Sequence, residues 1–180
     1  MQVKSVVRYS SCTIIMFAGL VHLITGCGQA KPTYKPTGVP KVKLEMKLAK
    51  ATPFPGGEAL TLSKDQPVAY GPDNEPLATL YVSREVILRN EDIAETSADV
   101  RNKEWSDAWQ VEVFLTPAGR EKFARFSRDN VGHYMAVFLD GKLALAPKLT
   151  TEITEGCVCI SSTTMTEVEA IKLAKELVGQ

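Results

Sequence analysis

QVEVFLTPAGREKFARFSRDNVGHYMAVFLDGK, residues 110–142, spells out a strand, a helix and the first arm of a hairpin, each with its own punctuation. Apolar and polar side chains alternate over 110–115, the period of a strand with one face in a core. Thr116 can cap a helix, and Pro117 has no N–H to leave unsatisfied at the first helical position. The spacing therefore predicts a helix over 117–130 that buries Phe123 and Phe126 and stops at Gly132, a residue able to take the left-handed conformation. Residues 134–139, YMAVFL, are almost wholly apolar, as in a central strand covered on both faces. Asp140-Gly141 is a two-residue turn whose twist suits a hairpin.

Downstream, 142–153 returns as a strand with Pro147 inside it, and the missing donor there predicts an edge or a bulge. Residues 157–161 form a further strand. Thr166 and Glu169 make a capping box, and Ala170, Leu173, Ala174 and Leu177 then share one face of a last helix. Upstream, KVKLEMKL over 41–48 alternates without a break and predicts a half-buried strand, which Pro53, Pro55, Gly56 and Gly57 stop. Residues 58–76 are turn-rich and define no element, ATLYV over 78–82 reads as a second strand, and Asn90 opens a short helix across 90–100. The fold class is α+β, a mostly antiparallel sheet with at least two helices packed on one face.

Hydrophobic residues make up 44% of the 180 positions and charged residues 23%, which suits one core rather than two. Twenty-one basic side chains balance 21 acidic ones, so nucleic acid is not an expected partner. The amino terminus has the layout of a signal peptide: Lys4 and Arg8 without an acid, then an apolar run over 12–24 that is short for a membrane-spanning helix. Ile24-Thr25-Gly26-Cys27 resembles the bacterial lipobox, in which cleavage after the small residue, here Gly26, leaves the cysteine, here Cys27, as a lipidated first residue. Buried acyl chains contribute about 0.8 kcal/mol per CH₂, enough for two or three chains to hold the protein at a bilayer. Gly28 is not the aspartate that marks inner-membrane retention in this class, which favours the outer membrane and a domain facing the periplasm or the exterior. The expected organisation is a signal peptide over 1–26, the lipidated cysteine and a Pro-, Lys- and Thr-rich flexible tether over 27–40, and one α+β domain over 41–180.

The run from 111 to 177 resembles a known family. Leu115-Thr116-Pro117-Ala118-Gly119, Lys122-Phe123, Asn130-Val131-Gly132, Ala136 through the Asp140-Gly141 turn to Lys142, Ala146-Pro147, Ile153, Gly156, Ile160 and Glu169-Ala170 together are similar to the head subdomain of the first periplasmic domain of SecD and SecDF. The likeness spans roughly 77–180. It implies a ferredoxin-like head of the kind thought to contact polypeptides emerging from the translocon, without the transmembrane motor of SecD-type proteins. It departs from the family at Ser162, where a glycine is usual. The matched Gly132, Asp140, Gly141, Pro147, Gly156, Glu169 and Ala170 are structural residues, so the resemblance identifies a fold better than an activity.

Candidate chemistry is sparse. His133 is the one histidine after His22 leaves with the leader, too few for a histidine-rich zinc site and without a nucleophile-elbow sequence for a triad. Cys157 and Cys159 share one face of their strand, opposite Val158 and Ile160. Three readings compete there: inert thiols covered by another segment, a strained or intermolecular disulfide, direct pairing being disfavoured because Cα atoms two apart on a strand are near the upper limit for a bridge, and a metal or redox site, for which no third or fourth soft ligand is visible. Trp105 and Trp109 lie in a polar stretch, either as partner anchors or as padding at a sheet edge. No cofactor or metal is implied. The sequence reads as a binding module, not an enzyme: an envelope lipoprotein that takes a protein or extended polypeptide, with translocon association in view. The rivals are a structural, self-assembling lipoprotein and, more distantly, a thiol- or histidine-dependent enzyme.

Overall fold

The computed structural model describes residues 32–63, 69–71, 75–100, 109–162 and 164–180. Cys27, its lipobox and Trp105 lie outside them. In chain order the elements are β1 (Thr33–Tyr34), β2 (Leu44–Lys50), β3 (Gly57–Thr61), β4 (Thr79–Ser83), β5 (Leu88–Arg89), a 3₁₀ turn (Asn90–Asp92), β6 (Ile93–Val100), β7 (Trp109–Leu115), α1 (Pro117–Asp129), β8 (Tyr134–Leu139), β9 (Lys142–Leu145), β10 (Cys157–Ser161) and α2 (Glu167–Leu177).

The class is α+β with antiparallel pairing throughout, but the strands form two sheets where a single ferredoxin-like sheet was expected. One has the order β1-β6-β7-β10; the other runs β3-β4-β2-β8-β9, with β5 also paired to β2. The division arises because β7 spends its two edges on β6 and β10, while β8 spends its own on β2 and β9. Alternation then delivers one side of each sheet to a common core. Leu44 and Met46 from β2, Val137 from β8, Val111 and Val113 from β7 and Ile160 from β10 are all buried in one cluster with Phe123 of α1 and Ala174 of α2.

The far side of the six-stranded sheet is covered too. Leu62 and Ala69 lie over Ala49, Leu80 and Ala136, and the Tyr134 hydroxyl donates to the Tyr70 carbonyl at 2.7 Å. Burial of the Tyr134 phenol raises its pKa. Both faces of β8 are therefore apolar because both are covered, as its unbroken apolar run predicts.

The helix punctuation holds. The Thr116 hydroxyl accepts from the Gly119 amide at 3.1 Å with Pro117 at the first turn, and Thr166 and Glu169 close their reciprocal box. Asp140 (φ 49°) and Gly141 (φ 76°) make the left-handed pair of a hairpin turn, and the Asp140 carboxylate also accepts from the Lys43 amide at 2.8 Å. β9 lies at the sheet margin and ends at Leu145, before Pro147, with a register shift opposite Val137 and Phe138.

Three expectations fail. Residues 90–100 are not a helix: after the 3₁₀ turn they form β6, because β7 offers a ladder along its whole length. A bulge between Ile93 and Glu95 lets Ile93 face the core together with Thr96 and Ala98. The turn-rich stretch holds β3, whose partner β4 supplies its register. The described end of the tether, 32–40, is laid onto the domain. Thr33 and Tyr34 pair with β6, the Thr37 amide donates to the Val178 carbonyl at 3.1 Å, and the Lys175 ammonium sits 5.4 Å from the Tyr34 ring centroid. The strand edge of β6 recruited this segment, which composition alone assigns to coil.

Asn90 joins segments far apart in the chain. Its carboxamide oxygen accepts from the Leu44 amide at 2.8 Å, and its nitrogen donates to the carbonyls of Val42 and Leu177 at 3.0 Å each. Asn90→Ala would strand three backbone groups, at a cost of about 2–4 kcal/mol. Urea unfolding should show a lowered midpoint with an unchanged slope; an unchanged midpoint would mean that water replaces the side chain without loss.

Candidate functional site

An open cleft of about 500 Å³ lies between the β4–β5 connection and one face of α1. Lys122, Arg125, Phe126 and Asp129 recur at helical spacing on its α1 wall; Val86, Ile87, Arg89 and Asp92 face them. Asp92 is buried, and its carboxylate accepts from the Lys122 ammonium at 2.7 Å and from the Arg89 amide at 3.0 Å. Its carbonyl takes the Thr116 amide at 2.8 Å. Gly119 lies so close that a Cβ there would stand 2.9 Å from that carbonyl oxygen. The residues Thr116, Gly119 and Lys122 thus dock the start of α1 against one aspartate. Its lining mixes the apolar side chains of Val86, Ile87 and Phe126 with charged groups of both signs.

The sequence candidates lie on separate elements: His133 on the α1–β8 junction and Cys157 and Cys159 on β10. His133 stands half-buried at the α1–β8 junction, and its pKa is held below the usual value by burial and then by the charges of Lys50 and Lys148. Cationic neighbours oppose the imidazolium that a general base must form. Among the described residues no group of three or more His, Cys, Asp or Glu side chains could hold a metal ion. Trp109 is the first residue of β7 and packs, half-buried, against the main core, the padding role at the sheet. Gly132, Gly141 and Gly156 all have positive φ, and a Cβ on Gly156 would meet the Arg120 side chain at 2.8 Å. Pro147 supplies a carbonyl that accepts from the Met135 amide, and Ala170 is fully buried on the inner face of α2.

Cys157 and Cys159 do share the face opposite Val158 and Ile160, which are buried. On that face Cys157 is half-buried and Cys159 exposed. Among the described residues β10 is a margin of its sheet, and on the same face Glu95 and Gln110 are half-buried while Ser97 is buried. The sequence showed the shared face but not its exposure, because no local signal says whether a later segment will cover it.

Together these features define a small α+β domain that presents an open cleft beside α1. The family model for the SecDF P1 head subdomain matches residues 65–179, and the chain belongs to that family. It is 37% identical over 65 residues to the protein translocase subunit SecDF of Thermus thermophilus, covering 36% of this chain and 9% of that protein. It is 35% identical over 63 residues to the protein translocase subunit SecD of Thermobaculum terrenum, covering 35% of this chain and 12% of that one. The matches thus span a small fraction of those relatives. A solved structure of SecDF, described as a membrane component that enhances protein export, superposes with a TM-score of 0.56 at 22% identity, covering 77% of this chain and 63% of that one. SecDF in a super-membrane-facing form gives the same TM-score and identity over 77% of this chain and 19% of that one. These likenesses establish the fold. Among the described residues no helix is long and apolar enough to cross a membrane.

Thiol labelling of the native protein should modify Cys159 quickly and Cys157 more slowly, read by mass spectrometry of the peptide over 157–161. Equal, slow modification of both would show that the face is covered in solution.

Proposed function

We propose that the chain is an envelope-anchored binding module of protein export, which holds extended stretches of polypeptide near a membrane and does no chemistry on them. The observation that carries this reading is the P1 head match over 65–179, because the relatives that share it are translocase subunits. The mixed lining of the α1 cleft supports it: Val86, Ile87 and Phe126 offer apolar contact, and Arg89, Arg125, Glu85 and Glu91 offer charge of both signs. An unfolded segment presents both kinds of group in succession. The Ile24-Thr25-Gly26-Cys27 lipobox supports attachment through a diacylglyceryl group on Cys27, with the domain facing the periplasm or exterior and the outer membrane favoured.

The docked Thr33 and Tyr34 change the reach of such an anchor. Thirteen free tether residues would hold the domain up to roughly 40 Å away. Only six peptide steps separate Cys27 from Thr33, at most about 20 Å of extended chain. The domain then works close to the lipid surface. The proton-driven motor of SecD-type proteins has no counterpart in this reading, so the module holds polypeptide passively. A structural lipoprotein that self-assembles is the second reading, favoured by the uncharged margin of β10.

Titration with a permanently unfolded, carboxymethylated polypeptide should give saturable binding that Arg125→Glu weakens several-fold while leaving the thermal midpoint nearly unchanged; no binding to unfolded chains or translocon components would remove the reading. Mass spectrometry of the protein from its native envelope should find Cys27 acylated and residues 1–26 gone, and an unmodified residue 27 behind an intact leader would refute the anchor.

A further inference from the structure

The edge of β6 is closed by the chain's own tether. Thr33 and Tyr34 pair antiparallel with Ser97 and Thr96, and so cover two of the eight residues of that strand. The aim of the backbone groups follows from one hydrogen bond. The Leu115 amide donates to the Gly156 carbonyl at 2.9 Å, toward β10, so alternation turns the backbone of Phe114 and Glu112 toward β6. Glu95 and Ser97 oppose them, which aims the N–H and C=O of Thr96 and Ala98 at the tether's side. Tyr34 meets Thr96 there, but the next such pair would set Pro32 against Ala98, and proline has no N–H to give. Pro36, two residues past Tyr34, blocks the other direction in the same way. β1 therefore cannot lengthen.

Little surface secures this strap over 33–41. Tyr34 is half-buried and every other residue of it is exposed, Val39 to 86%. The Tyr34 side chain takes the same inner side as the buried Thr96, packs against the main core and has the Lys175 ammonium 5.4 Å from its ring centroid. Further ties run to the end of α2: the Thr37 amide to the Val178 carbonyl at 3.1 Å, the Lys41 amide to the Glu176 carbonyl at 2.9 Å, and the Gln180 side chain to the Lys35 carbonyl at 2.9 Å. A segment with so few buried contacts opens far more readily than the domain beneath it.

We propose that the β6 edge is a docking site for an extended polypeptide segment bearing an aromatic side chain, and that Thr33-Tyr34 is its built-in stand-in, displaced when such a segment pairs with Thr96 and Ser97. The proposal rests on the polypeptide-holding reading and adds a site bordered by β6 and α2, separate from the α1 cleft. An incoming strand forms the same two pairs and sets its ring beside Lys175, where the face of the ring attracts the cation. It also carries N–H groups at the places where the tether has Pro32 and Pro36. The tether's advantage is its attachment, equivalent to an effective concentration on the order of a millimolar. The two prolines keep that advantage small enough to overcome. Displacement frees the strap, so the chain between Cys27 and the domain lengthens from about 20 Å to roughly 40 Å. Capture and reach are thereby coupled.

The test uses the full chain and a short fluorescent peptide of alternating Thr and Tyr, followed by anisotropy. Tyr34→Ser removes the ring that the peptide replaces. Gly38→Val loosens the strap outside the pairing, because a Cβ there stands 2.9 Å from the Gly179 carbonyl oxygen, and it carries the test should Tyr34→Ser disturb the fold. Each variant should tighten peptide binding about tenfold, the factor that a strap docked about nine-tenths of the time withholds, with the thermal midpoint nearly unchanged. Adding Lys175→Ala to Tyr34→Ser should reverse most of the gain, and adding Arg125→Glu, at the α1 cleft, should leave it. In the parent, saturating peptide should speed hydrogen exchange at the Thr37 and Lys41 amides and leave Met46 of β2 unchanged. Peptide binding that both strap variants leave unchanged or weaken, or strap amides that slow, would overturn the proposal. The carboxymethylated polypeptide is titrated alongside: if it binds while the peptide fails these tests, the wider reading stands without this site, and if neither binds, both fall.

Discussion

Two side chains in a three-residue corner hold the place where the chain leaves one sheet for the other. β5 belongs to the six-stranded sheet and β6 to the four-stranded one, with only Asn90, Glu91 and Asp92 between them. Asn90 ties this corner to the entry of β2 and the exit of α2, and Asp92 ties it to the entry of α1. A buried carboxylate and a nearly buried carboxamide are costly unless each polar atom has a partner, and here the partners are the backbone ends that the fold must satisfy anyway. The two sheets, both helices and the α1 cleft therefore keep their mutual positions through one short turn. Thr96 adds a second fastening, its buried hydroxyl donating to the Ala174 carbonyl at 2.7 Å, and Ser127 a third, accepting from the Ile153 amide at 2.8 Å.

What could be read from the sequence was whatever is decided within a few residues. Thr116-Pro117, Asp140-Gly141 and the Thr166–Glu169 box are local devices, and each lies where its chemistry places it. The alternation in β2 and β7 and the unbroken apolar run of β8 were equally legible, because burial on one face or two leaves a periodic trace. Strand β6 was not. IAETSADV has weak intrinsic preference, and its capping-like asparagine serves tertiary hydrogen bonds instead of a helix. Nor was the division into two sheets, since pairing partners far apart in sequence leave no local mark. Thr33 and Tyr34 illustrate the same limit: a proline-rich stretch became a strand because an edge elsewhere lacked a neighbour.

The candidate site was legible in its chemistry and opaque in its geometry. The shared face of Cys157 and Cys159 follows from period two, yet how far each is exposed depends on tertiary neighbours that leave no local trace. The cleft was missed altogether. Its α1 wall could have been found from the Lys122, Arg125 and Asp129 stripe beside Phe126, but the facing Val86, Ile87 and Asp92 come from a turn that no periodicity describes. Membership of the P1 head family then accounts for the family-like run at Thr116, Gly119 and Lys122 as a docking device for α1, leaving the open surfaces as the part available for function.

The two ends of the folded body meet. Gly38 lies so close to Gly179 that a Cβ on either would fall within 3 Å of the other's carbonyl oxygen, and the Gln180 side chain donates to the Lys35 carbonyl at 2.9 Å. A polypeptide entering at one of these positions and leaving at the other crosses almost no distance. Such a body can be spliced as a loop into a larger protein, or hung from a single point, without changing shape.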